Sequence, residues 1–140
     1  MEKLLLDANI LMGVLNRKDQ FHVRCLNFFQ EIHNRNKGGV RIQIVIPLHL
    51  AIEVNIKLRK KKRNNEWESF NPIEFSGPEY YPIDLKLLNR IQDEKLYDKF
   101  NVLSSLDAIY AIIAYIEKMT LVTLDSDFKK VDDKIKVKFI

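Results

Sequence analysis

Short apolar runs separated by helix-length stretches restrict most strongly how this 140-residue chain can fold. Residues 3–6 (KLLL), 41–46 (RIQIVI) and 121–124 (LVTL) are brief and rich in leucine, isoleucine and valine, and they read as buried strands. Residues 135–140 (IKVKFI) read as a final edge strand. Helical segments are expected over 10–16, 20–35, 47–63, 85–96 and 106–118. Asp19 is a candidate N-cap for the second, with Gly38 and Gly39 as its stop. Pro47 suits the first turn of the third, and Ser104 or Ser105 the cap of the last. Residues 64–82, with Trp67, several other aromatics and three prolines, read as an irregular connection. Strands alternating with helices build a parallel sheet covered on both sides. The expected fold is α/β, a three-layer α/β/α sandwich with a central mostly parallel sheet, Rossmann-like in general shape. A chain of this length is expected to form a single domain over residues 1–140.

That topology gives the acids a meaning. Asp7 directly follows three leucines and Asp125 directly follows LVTL. In a parallel sheet all strand C-termini lie along one edge, where ligands bind. Two carboxylates more than a hundred residues apart are thus brought to one rim. Asp107 opens the helix before the last of these strands, and Glu53 lies in the second turn of a helix that starts at the same rim. Each acid also has an ordinary structural role available. Asp7 can cap the helix after it, and Glu53 has Lys57 at i+4 in the favourable order. Ser104 and Asp107 match a capping-box variant, and Asp125-Ser-Asp127 can form an Asx turn.

Four neighbouring carboxylates cannot all stay ionised without compensation. Hard oxygen donors select Mg²⁺ or Mn²⁺, which keep several waters and suit phosphodiester hydrolysis. No histidine or cysteine pair has zinc spacing: His22, His33 and His49 are scattered and read as ordinary, partly exposed residues. No glycine-rich phosphate loop is present, which argues against nucleoside triphosphate binding.

Apolar residues make up 46% of the chain and charged residues 30%, the balance of a globular rather than a disordered protein. The single cysteine, Cys25, excludes an internal disulfide, suits a reducing compartment and shares a helical face with Phe21, Phe28, Phe29 and Ile32, a core position. The N-terminal apolar run stops after three leucines and the longest apolar stretch, 108–116, is well short of the ~20 residues that span a bilayer. A cytoplasmic protein with no membrane association is therefore expected. Net charge is +4, and six of the seven residues in KLRKKKR (57–63) are basic. Lys60, Lys61, Lys62 and Arg63 are candidate RNA-phosphate contacts, with a solvated helix end as the alternative.

The motifs together resemble the PIN-domain family. LLLDANILMGVL (4–15) resembles its first motif, with Asp7 as the acid and Asn9 beside it. IPLHLAIEV (46–54) resembles the second, with Glu53. LSSLDAIYAIIA (103–114) resembles the third, with Asp107. LVTLDSDF (121–128) resembles the fourth, with Thr123 and Asp125, and Asp127 following. The resemblance implies a Mg²⁺- or Mn²⁺-dependent ribonuclease acting on single-stranded or structured RNA. Asp7, Glu53, Asp107 and Asp125 would be catalytic metal ligands, Asp127 a further metal-site carboxylate, and Asn9 and Thr123 supporting groups. It also implies homodimers and, for small stand-alone members, the toxin role in a VapBC-type toxin–antitoxin pair with an antitoxin partner. A non-catalytic PIN-like module that binds RNA or protein is the alternative from another functional class.

Overall fold

The computed structural model describes residues 1–63 and 77–140. The chain runs through β1 (Glu2–Leu6), α1 (Ala8–Leu15), α2 (His22–Lys37), β2 (Ile42–Pro47), α3 (Leu48–Arg63) and β3 (Glu79–Tyr81). It continues through α4 (Leu85–Asp93), α5 (Leu96–Lys99), α6 (Ser105–Glu117), β4 (Thr120–Thr123), a 3-10 turn (Ser126–Val131) and β5 (Lys136–Phe139). The five strands form one sheet in the order β3-β2-β1-β4-β5, and every pairing is parallel.

Successive strand residues point to opposite faces, yet Leu4, Leu5 and Leu6 are all buried. Only a sheet flanked by helices on both faces explains that, so the α/β sandwich expected from the sequence is the observed fold. Val45 and Ile46 of β2 and Leu121 and Val122 of β4 extend the same core, which Phe100, Ile113 and Phe128 close. Cys25 is also buried there.

The strand order places the functional rim. From β1 the chain builds outward through β2 to β3, then returns to lay β4 on the other side of β1. The order therefore reverses between β1 and β4, and a crevice opens above their C-terminal ends. Leu6 pairs with Val122, and the Asp7 N–H donates to the Val122 carbonyl at 3.1 Å. The next residues of both strands' exits meet at that point.

Four local expectations are corrected. Asp19 does not cap α2: the helix begins after Phe21, and Asp19 instead accepts from the Phe21 N–H (2.8 Å) in the preceding turn. Pro47 ends β2, in register with Tyr81, rather than opening α3. The connection 64–82 holds a short edge strand, β3, beside β2, while its residues 64–76 lie outside the described residues. The single helix expected over 85–96 is two, α4 and α5, separated by Lys95 in a left-handed conformation (φ 51°).

Candidate active site

Asp7 leaves β1 at the switch point and is 5% exposed. One carboxylate oxygen caps α1, accepting from the Ala8 N–H at 2.6 Å. The other accepts from the Thr123 hydroxyl at 2.7 Å. Thr123, fully buried at the end of β4, accepts in turn from the Asp125 N–H at 2.9 Å. One hydroxyl thus ties together the two carboxylate-bearing strand ends. Burial pushes the Asp7 carboxyl up to about 6; the Thr123 and Ala8 hydrogen bonds oppose the shift, and the Asp107 and Asp125 charges add to it.

Asp125 begins the 3-10 turn, its Oδ1 accepting from the Asp127 N–H at 2.9 Å. Asp107 sits in the first turn of α6, where its N–H donates to the Ser104 hydroxyl at 3.3 Å. Burial raises its carboxyl above the ordinary value, a Ser104 hydrogen bond opposes this, and the Asp125 and Asp127 charges reinforce it. Carboxylate oxygens of Asp107, Asp125 and Asp127 lie within 4.8 Å of one another. Octahedral oxygen ligands at about 2.1 Å from Mg²⁺ stand up to roughly 4.2 Å apart, so a small inward adjustment fits the group to such an ion. The donor set is all oxygen, which matches a hard cation. Among the described residues no lysine or arginine pairs with Asp7, Asp107 or Asp125, and Asp127 has only Lys130 at 3.8 Å.

Glu53 stands apart from this group. Its side chain is half exposed and bonded to Lys57 at 3.0 Å, the ordinary i,i+4 pair. Its charge nevertheless acts on His49 and on Tyr110, which puts it at the same rim. Asn9 is exposed in the first turn of α1, and its side chain makes no hydrogen bond among the described residues. Lys60 is exposed near the far end of α3, while the side chains of Lys61, Lys62 and Arg63 lie outside the described residues.

Two residues reach the rim that the sequence reading passed over. Tyr110, on α6 one turn beyond Asp107, is 3% exposed, and its hydroxyl faces the charges of Asp7, Glu53 and Asp107. His49, on α3 one turn before Glu53, packs its ring on Tyr110 with centroids 5.3 Å apart. Its Nδ1 is buried with no hydrogen-bond partner among the described residues, and burial lowers its pKa against the pull of Glu53. The available signal was spacing: each sits three or four residues from a candidate acid, on the same helical face.

No curated protein matches the chain in sequence. Among solved structures it is similar to VapBC2 from Rickettsia felis, determined bound to a DNA fragment from its promoter. That likeness has a TM-score of 0.66 at 19% identity and covers 98% of each chain, a shared fold over the whole length. The PIN domain model matches residues 4–134, a span that contains all four acidic motifs and the rim they form. By that match and by its architecture, the chain belongs to the PIN domain family.

Proposed function

We propose that this chain is a Mg²⁺- or Mn²⁺-dependent ribonuclease that hydrolyses single-stranded RNA. Asp7, Glu53, Asp107 and Asp125 would hold the cation, with Asp127 beside them. The observation that carries the proposal is the uncompensated charge at the switch point. A buried carboxylate, Asp7, stands beside Asp107 and Asp125 with no basic side chain bonded to any of them among the described residues. Such an arrangement is costly to the fold unless a cation completes it.

A bound divalent cation supplies a lowered water pKa and charge stabilisation at the phosphate. The chain's own residues supply orientation. Thr123 fixes the direction of Asp7, and the Asp127 N–H fixes that of Asp125. Glu53 is free to exchange Lys57 for the site, because an exposed i,i+4 pair contributes only about 0.3–0.5 kcal/mol.

The role we favour is the toxin of a VapBC-type pair, with an antitoxin partner and a homodimeric assembly. The likeness in fold to VapBC2 supports it, as do exposed apolar residues at helical spacing, Leu85 and Leu88 on α4 and Leu48, Ile52 and Ile56 on α3.

The test is end-labelled single-stranded RNA incubated with the purified chain. Cleavage is expected with Mn²⁺, lost in excess EDTA, restored by fresh Mn²⁺ and absent in Asp7→Asn. Cleavage that persists in chelator overturns the metal assignment. RNA that is bound but left intact under every condition would favour the non-catalytic PIN-like module instead.

A further inference from the structure

We propose that Phe139 is a stacking platform for an RNA base beside the carboxylate site, with Lys129 taking the adjoining phosphate. The inference rests on the ribonuclease reading above and adds a substrate contact to it.

Phe139 is the only exposed phenylalanine among the described residues, with 38% of its surface accessible. A single exposed apolar side chain is ordinary. Its position is not. β5 is the parallel edge strand beside β4, and its C-terminal end reaches the functional rim. Phe139 is in register with Thr123, whose hydroxyl donates to Asp7 at 2.7 Å, and the Ile140 N–H donates to the Thr123 carbonyl at 3.2 Å. Neighbouring strands lie about 4.8 Å apart, and residues in register project from the same face. The ring therefore leaves the sheet one strand's width from the acid-bearing end of β4.

The 3-10 turn links the ring to the acids a second time. It carries Asp127 of the acidic group and, two residues on, Lys129, whose Nζ stands 5.8 Å from the Phe139 ring centroid. Lys130 and Lys138 pair with Asp127 and Glu31 at 3.8 and 3.9 Å, whereas Lys129 makes no ion pair among the described residues. Its charge is available to a phosphate. An aromatic face beside a spare cation is how single-stranded nucleic acid is held: a base stacks on the ring and the cation tracks the backbone. That combination selects RNA rather than a protein as the occupant. Magnitudes favour the exchange it requires. An exposed cation–π contact contributes only about two- to fivefold to an equilibrium constant, and a stacked base about five- to a hundredfold. The base therefore displaces the ammonium from the ring, and the ammonium moves to the neighbouring phosphate.

Binding and cleavage are measured separately on an end-labelled single-stranded oligonucleotide. In EDTA, Phe139→Leu is expected to bind it about five- to a hundredfold more weakly than wild type, with an unchanged salt slope. Phe139→Trp keeps an aromatic face and should bind at least as tightly as wild type. Lys129→Gln should flatten the log–log salt slope by roughly 0.7. With Mn²⁺, KM should follow the same order while kcat at saturation changes little. If Phe139→Leu and Phe139→Trp both weaken binding and both melt earlier, the ring is a packing residue and the proposal falls. Wild-type affinity in Phe139→Leu overturns it as well, leaving the ring to a protein contact; Mn²⁺-dependent cleavage in that case keeps the ribonuclease reading. RNA bound in the expected pattern but cleaved under no condition removes the ribonuclease reading and keeps the stacking contact. A wild-type chain that neither binds nor cleaves RNA overturns both.

Discussion

At Asp7 two hydrogen bonds work against burial and against two neighbouring charges, and the balance leaves the carboxyl at about 6 instead of 3.8. Below about pH 3.8 the group is protonated in folded and unfolded chains alike and carries no electrostatic penalty. As pH rises from there, the folded chain keeps a proton that the unfolded chain has released. The stability contributed by this group is therefore lost progressively and is gone above about pH 6. At roughly 1.4 kcal/mol per pH unit the full loss is up to about 3 kcal/mol. Asp7→Asn removes the titration while retaining a capping side chain. In EDTA, urea unfolding should show the variant close to wild type at pH 4 and more stable by up to that amount at pH 7. A difference independent of pH would mean that Asp7 acts only as the α1 cap. Thr123→Val tests the bridge itself. It keeps the shape but strands the Asp7 Oδ2 and the Asp125 N–H, and should cost about 1–3 kcal/mol, with Thr123→Ser largely spared. Losing a bond that lowers the Asp7 pKa should also shift the pH-dependent window upward.

Between elements, α1 approaches α2 closely at Gly13. A Cβ on Gly13 would stand 2.7 Å from Cys25 Sγ, and Cys25 is fully buried with little room to retreat. Gly13→Ala gains about 1 kcal/mol of helix propensity but overpacks the contact by about 1–3 kcal/mol, so a net destabilisation is expected. Adding Cys25→Ala removes the sulfur, and the double variant should recover part of the loss; additive effects in the double-mutant cycle would show that the contact is not the cause. The elements also show what the sequence could and could not tell. Four of the five strands (β1, β2, β4 and β5), the α6 cap at one of the two serines Ser104 and Ser105, and the convergence of Asp7 with Asp125 followed from pattern and topology, whereas β3 did not. Pro47 did not, because pairing with Tyr81 keeps it in β2, where the strand's last residue can forgo a donor. The break at Lys95 lies in QDEKLY, which contains no glycine or proline to mark it. Every ordinary role weighed for the acids is present: Asp7 caps, Glu53 pairs with Lys57, Ser104 bonds Asp107 and Asp125 forms the Asx turn. Those contacts coexist with the cluster, because each uses only part of a carboxylate or only the backbone N–H. Spacing alone puts Tyr110 and His49 on the helical faces of Asp107 and Glu53, but their meeting depends on how α3 lies against α6, which no local pattern encodes.

Across the whole molecule, the basic run and the acidic rim occupy different ends of α3. The helix starts at the rim, and at 1.5 Å per residue Lys60 lies about 10 Å further along the axis than Glu53, with Arg63 the last helical residue. Lysines and arginines in the last turns of a helix complement its dipole. If the run contacts RNA, replacing Lys60, Lys61, Lys62 and Arg63 with glutamine should weaken binding and flatten its salt dependence by roughly 0.7 in log–log slope per lost contact. Under saturating RNA, kcat should stay at the wild-type level, because no replaced side chain belongs to the carboxylate site. Measuring affinity at several salt concentrations alongside saturating turnover separates the two effects. An unchanged slope would make the run a solvated helix end, and a fall in kcat at saturation would show that it reaches the reacting phosphate after all.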